Sequence, residues 1–445
     1  MKIAIYTTST RKREASSKTS SFPSRAAQWD ECAVRHPETE ITLVAQLNGR
    51  YFIDIDNGKI TRFPEHVAYR VLPMEAGIMD FVHAIEELKP DLAVAMSGPN
   101  SGYDWNPIRD TEIAEELRAR GIKTVCMPVE TALTCFDKAR TAAFLRQNGF
   151  KAAESIAVSH ELYTTQKGMK RSTCNAYREY VLWAAEKLGL PVIIKPTTGS
   201  ASAGVVICRA NREIEDYLDS DAFEGDVLIE RFLKGDEYGF EIHARKDGYD
   251  VLPPFRLEKT ETGDVNDPIG LSTIKYGPLT SKTLAIEEAR GELVRLANLM
   301  CFTGITQVDM MKTDEGWYVI EINTRWSGMS SLTAAAENRR QYDIYVDQLL
   351  DGRLRYDDPE NLTCACQFKV SDADDALLEK LCADRNVSSA FRCEMNNGYT
   401  FAEIVISGFD SIRAMADKLQ SIQQTYPAHI SPKLHEALYR ASSMT

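Results

Sequence analysis

Apolar positions in the first 130 residues follow two periods in turn. Short β-prone runs stand at Ile3 to Thr7, Ile41 to Ala45, Tyr51 to Ile55, Asp91 to Met96 and Ile122 to Met127. Between them, Gly77 to Leu88 and Thr111 to Arg120 carry apolar residues at helical spacing, with Thr111 placed as an N-cap. Strands alternating with helices predict a parallel sheet, hence an N-terminal Rossmann-like α/β domain over 1–130. The turn after the first run, Thr8 to Arg13, has no glycine, so a dinucleotide site is not predicted there. The basic, Ser-rich run from Arg11 to Arg25 reads either as a solvated loop or as a holder for an acidic substrate. The polar stretch Ser97 to Pro107 is either a plain connector or a ligand loop at the end of a parallel strand.

From Thr131 the pattern changes. An amphipathic helix starts at Asp137-Lys138 and stops at Asn148-Gly149. Another, Ala176 to Leu188, precedes an apolar strand ending in Ile194-Lys195-Pro196. Then comes Gly199-Ser200-Ala201-Ser202-Ala203-Gly204, small enough for backbone N–H groups to approach an anion. Lys195 at its mouth favours phosphate, but the order is not that of a Walker P-loop. A strand reaches Glu230, and Arg231-Phe232-Leu233 can offer backbone groups to a planar base. Glu237 can accept from sugar hydroxyls.

Two β-prone runs, Gly304 to Lys312 and Trp317 to Arg325, flank the polar turn Thr313-Asp314-Glu315-Gly316. A three-residue loop, Asp314 to Gly316, pairs Thr313 with Trp317 and sets Asp309 opposite Glu321. Asn323 and Arg325 then share the face of Glu321. Opposed carboxylates about 5 Å apart at Cβ repel unless a cation lies between them. The oxygen donors Asp309, Glu321 and Asn323 suit a hard ion such as Mg²⁺.

Thr333 to Leu350 has a helical pattern. Beyond it, strands at Cys364 to Val370 and Thr400 to Ser407 and a helix at Ser411 to Gln423 predict a small α+β module over 353–445.

Composition narrows the class. A net charge of −13 over 445 residues argues against nucleic acid or an anionic membrane as partner. No run is apolar and long enough to span a bilayer, and the N-terminus is not patterned as a signal peptide. The ten cysteines show no zinc or disulfide spacing, which fits reduced thiols in a cytoplasm.

Taken in order, these segments resemble the ATP-grasp superfamily of carboxylate–amine ligases over roughly 131–352. The matching residues are Asp137-Lys138, Ile194-Lys195-Pro196 with the Gly199–Gly204 loop, Ile229 to Glu237, Asp309, and Glu321-Ile322-Asn323-Thr324-Arg325. The resemblance implies two α+β subdomains, with a nucleotide lid at about 190–230 and the hairpin at 304–325. It implies ATP held at its phosphates by Lys138 and Lys195, under a loop that includes Gly199, Ser200, Ala201 and Ser202. Adenine would meet Glu230, Arg231, Phe232 and Leu233, and the ribose Glu237. Asp309, Glu321 and Asn323 would bind two Mg²⁺, or Mn²⁺ in their place. Arg325 and Lys195 become the catalytic pair, with Arg325 on the acyl phosphate formed from the substrate carboxylate.

The pattern is most similar to the L-amino-acid ligase and biotin-carboxylase-like branch. By that likeness Lys259 reaches the phosphates and Arg256 a substrate carboxylate, with surface roles as the alternative. Trp326, Ser327 and Gly328 would border the substrate. D-alanine–D-alanine ligases commonly carry an arginine where this chain has Gln307, a departure that counts against that activity. The expected reaction joins a carboxylate, that of an amino acid, to an amine and releases ADP and phosphate. A carboxyphosphate-forming enzyme, a thiol or carrier acceptor, and a non-catalytic nucleotide-binding regulator stay open. The expected partners are small molecules, with a homodimer contact through the C-terminal module as one use of that module.

Overall fold

The computed structural model describes residues 1–9, 21–46, 51–56, 59–96, 105–165, 175–199, 204–260, 271–279, 284–350, 362–394 and 399–443. Ser200, Ala201 and Ser202, expected at the phosphates, lie outside the described residues.

Five parallel strands form the N-terminal sheet, in the order Ala68–Leu72, Glu40–Gln46, Lys2–Thr7, Leu92–Ala95, Thr124–Val125. The first strand is apolar throughout because both of its faces are covered. Ile3 and Ile5 enter a core with Trp29, Trp326, Tyr342 and Tyr345, whereas Ala4 and Tyr6 enter another with Phe81 and Ile85. The first of these cores is therefore shared with residues far along the chain.

Two local expectations fail here. Tyr51 to Ile53 form no strand; only Asp54–Asp56 does, paired with Lys59–Arg62. Thr111 is not an N-cap, because the helix spans Asn106–Ala119, with a proline in its first turn. The Thr111 hydroxyl instead donates back to the Ile108 carbonyl at 2.7 Å.

A second, antiparallel sheet has the order Val206–Cys208, Val192–Pro196, Val227–Arg231, Ser155–Val158. The helices Ala176–Leu188 and Asn211–Leu218 pack on it through Val181, Ala185, Ile214 and Leu218. This sheet contains the segment 190–230 expected as the nucleotide lid, together with Ser155–Val158.

The large sheet runs Gly316–Asn323, Ile305–Thr313, Asp236–Arg245, Phe255–Lys259, Thr273–Gly277, Cys364–Ser371, Thr400–Phe409, Val387–Glu394, Ser21–Phe22. Gly248–Val251 pairs beside this path. The C-terminal segment thus continues the central sheet, through the pairing of Thr273–Gly277 with Cys364–Ser371. Thr333 to Leu350 is two helices, Ser330–Ala336 and Gln341–Leu349, not one. Asn338 interrupts them at φ 54°, a left-handed conformation that asparagine tolerates well. Among the described residues no helix is long and apolar enough to cross a membrane.

Candidate active site

The hairpin sets Asp309 opposite Glu321 as the residue pattern predicts, but by a different route. Its turn has two residues, since Thr313 pairs with Gly316 and Lys312 with Trp317. That register is one residue short of the expected one. Ile320 then enters as a β-bulge, and beyond it Asp309 faces Glu321, Val308 faces Ile322 and Gln307 faces Asn323. The bulge has a chemical result. Before it, Trp317 and Val319 point into the apolar core; after it, Ile322 does. Unbroken alternation would carry Glu321 into that core, where an unpaired carboxylate is costly.

Register across the sheet defines one polar face. Asp309 pairs with Gly239, Glu237 with Met311 and Leu257, Leu257 with Lys275, and Lys259 with Thr273. Asp309, Glu321, Asn323, Glu237, Lys259 and Lys275 therefore stand on the same side. Arg256 does not. It pairs with Tyr238 and Tyr276, both in the core beneath, and its guanidinium bridges to Asp236 at 2.6 Å and Glu258 at 3.6 Å. The expectation that Arg256 meets the substrate carboxylate is corrected by that side of the sheet.

Two lysines reach this face from other elements. Asp137 caps the Lys138–Gln147 helix by accepting from the N–H groups of Ala139 and Arg140. This fixes Lys138 as the first helical residue, with Nζ 3.2 Å from Glu321 Oε1 and 3.0 Å from the Gly199 carbonyl oxygen. Lys195 and Glu230 share a lid face, diagonal across paired strands, with Nζ and Oε2 2.6 Å apart. The N–H of Arg231 donates to the Glu154 carbonyl and that of Phe232 to the Pro191 carbonyl.

Electrostatics mark the same spot. Burial pushes the Asp309 carboxyl from its ordinary 3.8 up to about 8, and the charges of Glu237 and Glu321 push in the same direction. The Gln307 amide, which donates to Asp309 Oδ1 at 2.6 Å, and the Lys275 ammonium oppose the shift. Glu237 is also raised, first by burial, against the pull of Lys259, Lys275 and Lys195. Lys275 was missed from the residues alone, although a single lysine within the apolar strand Thr273–Gly277 was a readable sign.

A divalent cation fits this concentration of carboxylate. Among the described residues no group of three or more His, Cys, Asp or Glu encloses an ion. Asp309, Glu321 and the Asn323 amide oxygen are a partial donor set of the kind phosphate oxygens and water complete.

The segment after the hairpin leaves the sheet edge. Arg325 is half-buried and Trp326 buried against Tyr342 and Tyr345. Ser327 Oγ accepts from the Met329 N–H, and the Gly328 carbonyl accepts from Gln367 Nε2. Gly328 lies close to Lys275 Nζ, at the edge of the polar face.

A carboxylate-bearing hairpin met by Lys138, with Lys195 on a separate small antiparallel sheet, is the arrangement of an ATP-grasp carboxylate–amine ligase. Residues 150–352 match the family described as D-ala D-ala ligase C-terminus, and the chain belongs to this family. It is similar to D-alanine–D-alanine ligase of Neisseria meningitidis, 34% identical over 277 residues, which are 52% of this chain and 86% of that protein. The enzyme of the same name from Clostridium beijerinckii is 29% identical over 255 residues, 54% of this chain and 74% of that one. Among solved structures, L-amino acid ligase from Bacillus licheniformis shares the fold, with a TM-score of 0.61 at 16% identity, over 99% of this chain and 96% of that one. N5-carboxyaminoimidazole ribonucleotide synthetase from Thermus thermophilus shares it too, with a TM-score of 0.61 at 13% identity, over 95% and 98%. The chain is a ligase that forms C–N bonds.

Proposed function

We propose that this enzyme uses ATP to convert a substrate carboxylate into an acyl phosphate, which an amine then captures as an amide. The observation that carries the reading is the bulge-set pair of Asp309 and Glu321, with Lys138 Nζ 3.2 Å from Glu321. Bringing a carboxylate anion against a triphosphate is opposed chiefly by charge, so neutralisation and positioning dominate the barrier.

Asp309, Glu321 and Asn323 would hold two Mg²⁺ ions, which when bound neutralise and orient the phosphate oxygens. Lys138 and Lys195 hold the nonreacting phosphates from opposite walls, and Gly199 stands at the start of the covering loop. Glu237 binds the ribose, Arg231 to Leu233 the base, and Lys259 with Lys275 the outer phosphate. The Arg325 guanidinium donates as a fork to the reacting carboxylate. In the first step a carboxylate oxygen attacks the γ-phosphorus and the bond to ADP breaks. In the second, the amine nitrogen attacks the acyl carbon, phosphate leaves, and the amine gives up a proton to solvent.

The neutral Gln307 amide beside Asp309, where D-alanine–D-alanine ligases commonly carry an arginine, counts against the D-alanine–D-alanine activity named for the relatives. We further propose a cytoplasmic enzyme acting on small molecules. The test is ATP-dependent phosphate release with amino acids singly and in pairs, and with bicarbonate as a separate arm. Release with amino-acid pairs supports the reading. Release with bicarbonate alone replaces it with a carboxyphosphate-forming enzyme.

A further inference from the structure

The polar face of the strand Asp236–Arg245 does not end at the site. Beyond Glu237 and Gly239, the same alternation brings Glu241 and His243 to that face. Glu241 is 2% exposed and His243 is fully buried. A carboxylate in such a place needs a donor on each oxygen, or its lost hydration goes uncompensated. Glu241 has both. Its Oε1 lies 2.6 Å from His243 Nε2, and its Oε2 accepts from the Ser330 hydroxyl at 2.9 Å. His243 Nδ1 has no partner among the described residues, which fits a ring that carries its proton on Nε2 and donates it to Glu241.

Ser330 ties this acceptor to the segment that follows the hairpin. Its N–H donates to the Ser327 carbonyl at 3.3 Å, and the Met329 N–H donates to the Ser327 hydroxyl at 3.1 Å. Ser327 to Ser330 are therefore one closed turn. The turn seats two consecutive residues on two successive positions of the strand face. Met329 fills the space above Gly239, where a Cβ would come within 2.2 Å of its sulfur, and Ser330 meets Glu241. The helix that follows adheres through Leu332, Ala335 and Ala336, in a cluster with Phe255 and Val405. Apolar contact of that kind is non-directional, so it holds the helix down without fixing its place along the strand. The hydrogen bond from Ser330 to Glu241 fixes that place. Arg325 is separated from the turn by Trp326 alone.

Resting on the role proposed for Arg325, we infer that Glu241 is a positioning residue for the ligase reaction, acting through Ser330 to place Arg325 against the reacting carboxylate. For adhesion alone a buried charge is a poor choice, since an apolar side chain of similar volume packs without the cost of desolvation. What a carboxylate adds here is two strong, directed acceptors, one turned to His243 on its own strand and one to the turn. A misplacement of about 1 Å in a group that meets the reacting atoms costs up to about 100-fold in rate. Glu241 guards against that displacement.

The experiment reads phosphate release from ATP and Mg²⁺ in a mixture of the protein amino acids, with each rate taken per folded molecule from the melting curve of that variant. Ser330→Ala should lower kcat by about 10- to 100-fold and change the KM for ATP by about twofold or less. Glu241→Gln keeps the shape but turns an amide N–H towards one of the two donors, and should do the same. In an Arg325→Lys background, which lacks the forked donor, adding Ser330→Ala should cost about twofold or less, since exact placement then matters little. A Ser330→Ala loss that persists in full in that background overturns the inference and leaves Arg325 its role. Single variants that melt lower but keep the parental kcat overturn it too, by reducing Glu241 to a structural anchor. An Arg325→Lys enzyme with the parental kcat, or a parent that releases no phosphate, overturns the proposed reaction and this inference with it.

Discussion

Lys138 Nζ stands 3.2 Å from Glu321 Oε1, which ties the first residue of a helix to the far strand of the hairpin. The contact joins a group suited to phosphate with one suited to metal. Loss of either side has a different signature. Glu321→Ala should reduce phosphate release by about 1,000-fold or more, since transition-state charge is then left without its cation. Lys138→Ala should act first on the KM for ATP. Steady-state phosphate release at varied ATP and Mg²⁺ separates the two, and turnover surviving in Glu321→Ala would refute the metal assignment.

Asp309 predicts a pH-dependent stability of the metal-free protein. Its carboxyl is raised from 3.8 to about 8 in the folded state. Between those values the unfolded chain releases a proton that the fold retains. The stabilising contribution is full below the ordinary aspartate pKa and lost as pH rises through 8. Asp309→Asn removes that loss. In a chelator at pH 8 the variant should melt several degrees above the parent, with the gap closing towards pH ~4. Added Mg²⁺ and ATP should stabilise the parent alone. A parent that melts higher than Asp309→Asn at pH 8 without metal contradicts the burial described here.

Lys275 offsets the same burial for both Asp309 and Glu237. Lys275→Ala should lower kcat/KM by about 10- to 100-fold and move the rising limb of the pH–rate profile to higher pH. Lys275→Arg should keep that limb in place. An unshifted limb in the alanine variant would remove Lys275 from the site.

Gly239 is the register partner of Asp309, and a Cβ there would stand 2.2 Å from Met329 Sδ and 3.2 Å from Asp309 Oδ1. Met329 is fully buried, so it cannot swing clear cheaply. Gly239→Ala should cost about 1–3 kcal/mol of stability by overpacking and reduce turnover by about tenfold or more. Denaturant melts together with kinetics check both; an unchanged midpoint would show that Met329 moves freely.

The residues spelled out much of the cleft because its parts are local. A cap before Lys138, a lysine ending an apolar strand and carboxylates in a hairpin are each readable within one short stretch of chain. The bulge at Ile320 was not readable, since the two-residue turn and the inserted residue cancel at Asp309 and leave the same pairing as a plain three-residue loop. Arg256 failed for a non-local reason. Its side of the sheet depends on pairing with Tyr238 and Tyr276, not on its distance from the nucleotide segment.

The two-sided first strand has a consequence for recombination. Ile3 and Ile5 pack in one cluster with Trp326, Tyr342 and Tyr345, and the Tyr345 hydroxyl donates to the Ala95 carbonyl at 3.0 Å. A chimera that exchanges the first 130 residues with those of a relative cuts through this cluster as well as through the Val129–Phe136 helix. Its crossover partners are therefore not neighbours in the chain. Grafts that also carry the donor's residues at 326, 342 and 345 should stay folded where simple exchanges at the apparent boundary do not. The unit that can be transplanted is a packing cluster with two chain segments, not the domain that the strand–helix alternation outlines.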